Sequence, residues 1–281
     1  MKTRSHAPRI VLIGTAGASR AAGRDLSALG VGRIVVLGST PGEAAETAAF
    51  IGDPAVGGAD LSDASGADLV ILAGSGEAVT SGPPARVGEL LRVCPEAIVI
   101  VCGPKANARA AAFIGASRFP PSRVMAASGV AAQEAIAADL ARRLAVAPSQ
   151  ISVLVAGGDE PDLIVLGRYS TVAGIPVRAF PQTDAGREGN RHASAIPAPA
   201  EMAARASRAV ARIAAAVLQD RREVLCCGVQ LDGILGLPRC HATFPSVIGR
   251  GGVREIFQVS LTVEERSAIQ KAAQTGTGRT T

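Results

Sequence analysis

Pro8–Gly30 reads PRIVLIGTAGASRAAGRDLSALG, and the fold follows from how this stretch changes character. The apolar run Ile10 to Ile13 passes through small residues straight into a helical pattern, which predicts strand, tight turn and helix. In a doubly wound α/β domain that first turn holds a dinucleotide pyrophosphate against the helix N-terminus, where free N–H groups and the helix dipole favour anions. The glycine signature of the turn, GxGxxG, appears here as Gly14, Thr15, Ala16, Gly17, Ala18, Ser19. Its second and third glycines are thus Ala16 and Ser19. Each added side chain intrudes where backbone must approach phosphate, or where helix and strand must pack closely.

Outward from this stretch, strands and helices alternate. Arg33 to Leu37 is a continuous apolar strand ending at Gly38, and Thr40-Pro41-Gly42-Glu43 is a capping box with Pro at the first helical position, opening a helix to about Phe50. A Gly- and Asp-rich loop from Asp53 to Gly66 leads to the buried strand Asp68 to Ala73, which runs into Gly74-Ser75-Gly76, a loop suited to facing a ligand. Ala85 to Val93 reads as helix, Ala97 to Cys102 as strand, Ala106 to Ala116 as helix and Arg123 to Ala127 as strand. Unbroken apolar strands separated by helices predict a parallel sheet covered on both faces. The lobe boundary falls after Ser128, giving a dinucleotide-binding type of domain over 1–128 and a second domain over 129–281.

The second half changes style. Gly129 to Ala145 is an Ala-rich helix, and Ile151 to Ala156 and Leu163 to Leu166 flank Gly157-Gly158-Asp159-Glu160-Pro161 as a hairpin. Phe180 to Pro199 reads as an irregular loop before a long helix from Ala200 to Gln219. Val224 to Gly228, Arg239 to Phe244 and Ile256 to Ser260 read as an antiparallel set, and Thr262 to Glu265 caps a terminal helix. This half is α+β.

Composition narrows the function classes. With 281 residues and 48% hydrophobic content the chain can bury a large core. The net charge of +5 comes almost wholly from Arg, since Lys2, Lys105 and Lys271 are the only lysines among 29 basic residues. These arginines are scattered among Ala and Gly, and with one Tyr, no Trp and six Phe there is no platform for stacking bases, which argues against nucleic acid. No apolar run is long enough for a signal sequence or a membrane span, so a cytoplasmic protein is expected. Cys94, Cys102, Cys226, Cys227 and Cys240 lack paired CxxC spacing and read as buried free thiols.

Two longer runs carry a resemblance: RYSTVAGIPV at Arg168 to Val177, and the C-terminal run from Leu218-Gln219-Asp220 through PSVIGRGGVREIFQVSLTVEERSAI at Pro245 to Ile269. In these, and in its order of strands, the chain resembles the lactate/malate dehydrogenases, and especially the bacterial malate dehydrogenases, over nearly its whole length. The resemblance implies a Rossmann-type doubly wound parallel sheet followed by the α+β C-terminal domain of that family. It also implies dimers or tetramers.

The chemistry the family performs is hydride transfer between a nicotinamide and a 2-hydroxy acid. This takes a His to exchange the hydroxyl proton, an Asp to orient it and an Arg to grip the carboxylate through two hydrogen bonds. Counting back without gaps from Ser170, the family's catalytic His position is Asp159. A carboxylate with a reference pKa near 3.9 is a poor proton donor at neutrality, and it repels an anionic substrate. The family's LDxxR motif maps onto Ala131-Ala132-Gln133-Glu134-Ala135, so Ala132 stands for the Asp and Ala135 for the Arg. The arginines of its mobile loop fall on Ala78 and Pro84, with Arg86 nearby reading as a solvated helix residue. Its VxNP Asn is Gly103, and its Gly-Ser-Ala entering the long helix is Ala200-Glu201-Met202. Of the three histidines, His6 lies in a tail, His241 follows Cys240 in a strand where neighbours face opposite sides, and His192 lies in the Gly/Pro-rich loop as the one replacement base worth weighing. No metal site is expected.

For the cofactor, the acidic residue that binds the adenosine ribose should end the second strand, where Gly38-Ser39 stands instead. Gly14, Ala16, Gly17, Ser19, Gly38, Ser39 and Gly74 are the candidate cofactor residues, and weakened binding of NAD or NADP is expected. The reading is a dehydrogenase-fold pseudoenzyme, kept for assembly with itself or with an active paralogue, or for nucleotide or metabolite binding. The alternative is a divergent NAD(P)-dependent oxidoreductase with a rebuilt site, in which His192 or Asp159 takes the proton.

Overall fold

A computed structural model describes residues 7–15, 17–30, 32–73, 84–159, 162–180, 199–237 and 239–276; for 84–88, 199–204, 235 and 272–276 it describes the backbone alone. The first half is β1 (Arg9–Ile13), α1 (Gly17–Ala28), β2 (Arg33–Leu37), α2 (Pro41–Ile51), β3 (Ala55–Gly57), β4 (Leu69–Leu72), α3 (Pro84–Val93), β5 (Ile98–Val101), α4 (Ala106–Ser117) and β6 (Val124–Ala126). The strands line up in the order β3-β2-β1-β4-β5-β6, all parallel.

Each strand feeds two cores. Ile10, Leu12, Ile34, Val36, Ile71 and Ile100 face one side of the sheet, while Val11, Val35, Val70, Val99 and Val101 face the other, and all are buried. That is why these strands read as unbroken apolar runs: neither face meets water. The cap at α2 holds, with Glu43 N donating to Thr40 Oγ1 at 3.3 Å. β3 is a correction. The sequence reads as loop from Asp53 to Gly66, yet Ala55–Gly57 pairs in register with Ile34–Val36; three short residues carry too little pattern to show it.

The second half is α5 (Ser128–Leu144), β7 (Ile151–Ser152), β8 (Val155–Gly157), β9 (Leu163–Val165), β10 (Thr171–Val172), β11 (Ile175–Pro176), α6 (Pro199–Leu218), β12 (Glu223–Leu231), β13 (Cys240–Gly249), β14 (Gly252–Ile256) and α7 (Val263–Gly276). The expected strand Ile151 to Ala156 is split: β7 joins β10 and β11 in a separate three-stranded sheet, whereas β8 and β9 form the hairpin on the main sheet. The third antiparallel strand is Gly252–Ile256 rather than Ile256 to Ser260. A turn at Arg250-Gly251 folds it straight back onto β13, while residues 257–262 run outside any strand to the cap of α7. There Glu265 N donates to Thr262 Oγ1 at 3.1 Å and Thr262 N to Glu265 Oε2 at 2.7 Å. Buried Glu265 also accepts from Arg168 Nη2 at 2.9 Å, clamping α7 onto the segment before β10.

The two halves share one sheet. Beyond β6 it continues through β12, β13, β8 and β9, with β14 on β13. The ladder between the halves is minimal, since β6 meets β12 only at Ala126–Gly228, and within the second half β13 meets β8 only at Thr243–Gly157. All five cysteines are free and buried, as the spacing predicts. Burial pushes the Cys226 thiol up to about 12 and that of Cys94 up to about 11.

Two glycines make opposite predictions. A Cβ on Gly228 would lie 1.9 Å from Asn107 Oδ1 and 2.6 Å from Ala126 Cβ, while one on exposed Gly115 in α4 would meet nothing within 4 Å. Gly228→Ala should destabilise by at least about 2 kcal/mol through overpacking. Gly115→Ala should stabilise by roughly 0.5–1 kcal/mol. Urea midpoints check both, and equal responses would contradict the packing described.

Candidate functional site

The turn after β1 keeps part of its phosphate-binding geometry. Gly14 has φ +120, and a Cβ there would sit 2.5 Å from the Ala73 carbonyl oxygen, so the approach of β4 demands glycine. Gly14 N donates to Leu37 O at 2.9 Å, fixing the turn over the end of β2. At Gly17, the first residue of α1, a Cβ would meet nothing within 4 Å among the described residues, so these leave the helix start open. Ser19, in the place of the third glycine, is buried with its Oγ 3.1 Å from where a Gly14 Cβ would be, and that hydroxyl has no hydrogen-bond partner among the described residues. Ala16 and Gly74 lie outside the described residues.

The ribose end is different. Gly38 is covered by Thr15, whose Cγ2 would be 2.8 Å from a Cβ at that position. Ser39 N donates to Glu43 Oε2 at 3.2 Å, so the nearest carboxylate is engaged in capping α2. The residues therefore suit a phosphate at the start of α1 and offer no acidic side chain at the end of β2 for a ribose.

The positions that the resemblance assigns to catalysis have been put to structural use. Helix α4 begins after Lys105, which sits in the left-handed region (φ 52) and supplies no side-chain cap. Asp159, from the β8–β9 turn, caps the helix instead: its Oδ1 accepts from Asn107 N at 2.9 Å and its Oδ2 from Ala108 N at 3.2 Å. Ser128 Oγ donates to the same Oδ1 at 3.4 Å. Both oxygens are thereby engaged with the protein itself. A carboxylate at a helix N-terminus completes hydrogen bonds the helix lacks and complements its dipole.

Ala132 and Ala135, which the resemblance sets at the Asp and Arg positions, are both buried, and Ala132 packs in an apolar cluster with Ile136, Leu140, Val155 and Val165. Their neighbour Gln133 does the polar work of this helix face, donating to Val153 O at 2.6 Å and accepting from Cys226 N at 2.9 Å. Gly103, at the Asn position, has φ +107. His6, His192 and Ala78 lie outside the described residues, as do the side chains of Pro84, Arg86, Ala200, Glu201 and Met202.

Around Asp159 the structure assembles Asn107, Thr243 and Arg109, which the sequence did not single out, with His241, which it did. Asn107 is buried, and its Nδ2 donates to Thr243 Oγ1 at 3.1 Å and lies 3.3 Å from the Gly158 carbonyl and 3.4 Å from Ser128 Oγ. Its Oδ1 is 3.1 Å from His241 Nδ1. Arg109 Nη1 donates to Cys102 O at 3.0 Å; burial lowers its pKa, with the charge of Asp159 among the opposing influences. The only cue to this set in the sequence is the pair of small residues Gly129 and Gly228 that leave room for it. A Cβ on Gly129 would press to 2.3 Å from Thr243 Cγ2. Among the described residues no three His, Cys, Asp or Glu side chains are grouped to hold a metal, and no helix is long and apolar enough to cross a membrane.

Burial pushes the imidazole of His241 down to about 4 from 6.5, so it is neutral in the folded protein. Between these values the unfolded chain binds the proton and the folded one does not, so stability falls as pH drops from 6.5 towards 4, by up to about 3 kcal/mol from this group. The urea midpoint should fall over that window, and fall less in His241→Gln. Parallel pH profiles for the two proteins would contradict a buried neutral imidazole.

The comparisons with known proteins agree with this fold. Residues 193–277 match the lactate/malate dehydrogenase alpha/beta C-terminal domain. The malate dehydrogenase of Thermomicrobium roseum is 31% identical over 250 residues, 78% of this chain and 76% of that protein. Among solved structures, the lactate dehydrogenase of Cryptosporidium parvum superposes with a TM-score of 0.82 at 18% identity, over 96% of this chain and 97% of that one. That of Eimeria maxima, solved with NADH and oxamate, gives 0.79 at 18% identity over 98% and 95%. With this fold, and with 31% identity over more than two thirds of a malate dehydrogenase, the chain belongs to the lactate/malate dehydrogenase family.

Proposed function

We propose that this protein is a catalytically inactive member of its family, retained for assembly with copies of itself or an active paralogue, or for weak nucleotide or metabolite binding. One observation carries the reading. The carboxylate at the family's catalytic His position accepts from two backbone N–H groups of α4, so its atoms are engaged in holding a helix. An acid/base group needs a pKa near the working pH and a free atom directed at the substrate. The alanines at the orienting and gripping positions support the same conclusion, since buried alanine side chains can neither steer an imidazole nor bind a carboxylate.

Nicotinamide cofactors are weak ligands in this reading. NADH is the cofactor bound in the Eimeria maxima relative; here the open start of α1 at Gly17 suits a phosphate, and Thr15 over Gly38 gives a ribose no carboxylate. When bound, the cofactor would supply the hydride. This chain's own residues would do no more than hold its phosphates.

The test is steady-state assay of malate and lactate oxidation, and of the reverse reactions, with both nicotinamide cofactors, beside titration of the protein with NADH and NADPH by fluorescence. The expected result is no turnover above buffer and binding weaker than about 10 μM, that is, less than roughly 7 kcal/mol of binding free energy. Asp159→His alone should restore nothing, because Ala132 and Ala135 still lack their functional side chains. Turnover in the natural protein that disappears in Asp159→Asn would overturn the proposal and favour a divergent oxidoreductase.

A further inference from the structure

The two halves of the chain meet along a sheet whose seam has very little ladder. One residue pair joins β6 of the first half to β12 of the second, and beyond it one pair joins β13 to β8 within the second half. A seam of this kind, left to its backbone alone, would open more readily than the strands on either side.

Asn107 sits across it. The residue is on α4, in the first half, and its side chain reaches Thr243 of β13 and the carbonyl of Gly158 at the end of β8. Gly228 of β12 lacks the side chain that would collide with it. Asp159 binds the other way, from the β8–β9 turn back onto the α4 backbone, and Ser128 at the start of α5 adds a donor. His241 of β13 completes the group through its contact with the Asn107 oxygen. Every one of these links joins segments more than 20 residues apart, and together they pass over both of the single-pair ladders.

We infer that Asn107 and Asp159 form a latch between the two halves, at the position the resemblance assigns to the catalytic His, which fixes the β8–β9 turn against α4. The inference is independent of whether any turnover remains: it concerns opening of the seam, and its readout is not activity. The chemistry fits a latch better than a ligand site. Both Asp159 oxygens and both the oxygen and nitrogen of the Asn107 amide already have partners inside the protein, which is the condition under which a buried polar group stabilises.

Hydrogen exchange followed by mass spectrometry on the full-length protein tests it. Asn107→Ser keeps a small polar side chain but cannot span to Thr243 and Gly158. It should make exchange at least about tenfold faster in peptides covering both 106–112 and 155–165, with Arg9–Ile13 of the central sheet unchanged. Asp159→Asn retains a carbonyl acceptor for one of the two N–H groups, so it should give the same paired pattern at smaller amplitude, and it serves if Asn107→Ser does not fold. Acceleration confined to one of the two peptides, or absent from both, would overturn the latch. A protein that is inactive yet shows no paired acceleration would keep the proposed function and lose this inference.

Discussion

Every α-helix starts with N–H groups that its own backbone cannot satisfy, and where these are buried something else must accept from them. At α4 the residue before the helix is Lys105, in a left-handed conformation and without a capping oxygen. Asp159 meets the need from a turn in the other half of the chain. Much else follows from that one contact. It fixes where the β8–β9 turn lies and places Asn107 beneath it, against Gly228, which has no room for a side chain, while Gly129 of α5 has none against Cys226 and Thr243. A residue of the opposite charge, or one without two acceptor atoms, could not make this junction.

Asp159, at the position the resemblance assigns to the catalytic His, is also the residue that holds the start of α4. Once a carboxylate replaces the imidazole, an orienting Asp beside it would add a second negative charge at short range, and a gripping Arg would be left facing apolar side chains. Ala132 packs with Val155, Val165 and Cys226 as part of an ordinary apolar face of α5. The polar requirement of that helix passes to Gln133, which bonds backbone on both sides of it.

Sequence reasoning reaches the parts of this fold whose causes are local. The parallel strands announce themselves because both faces are buried and each is a run of Ile, Val and Leu, and the boxes at Thr40 and Thr262 need only three residues to be seen. β3 is invisible because Ala55–Gly57 becomes a strand only by lying beside β2. β14 is displaced by several residues because the turn that starts it is read from Arg250 and Gly251, while the apolar pattern continues to Val259. At the candidate site, register from Ser170 leads to Asp159 and the match to the LDxxR motif leads to the alanines, but what Asp159 does is not legible this way: its partners are 52 and 51 residues away, and neither contributes a side chain to the bond. Asn107 escapes for the same reason. In the sequence it is one polar residue in an Ala-rich helix, and only the missing side chain of Gly228 explains its place.

The buried cysteines give this molecule its own reporter of motion. Cys226 lies inside the apolar cluster that covers α5, accepts from Val155 N through its sulfur, and holds its proton far above neutral pH. A thiol reacts with alkylating reagents as thiolate and only where the reagent can reach it. In the closed molecule Cys226 therefore stays silent, and its rate of modification becomes a clock for how often β12 and β8 part from α5.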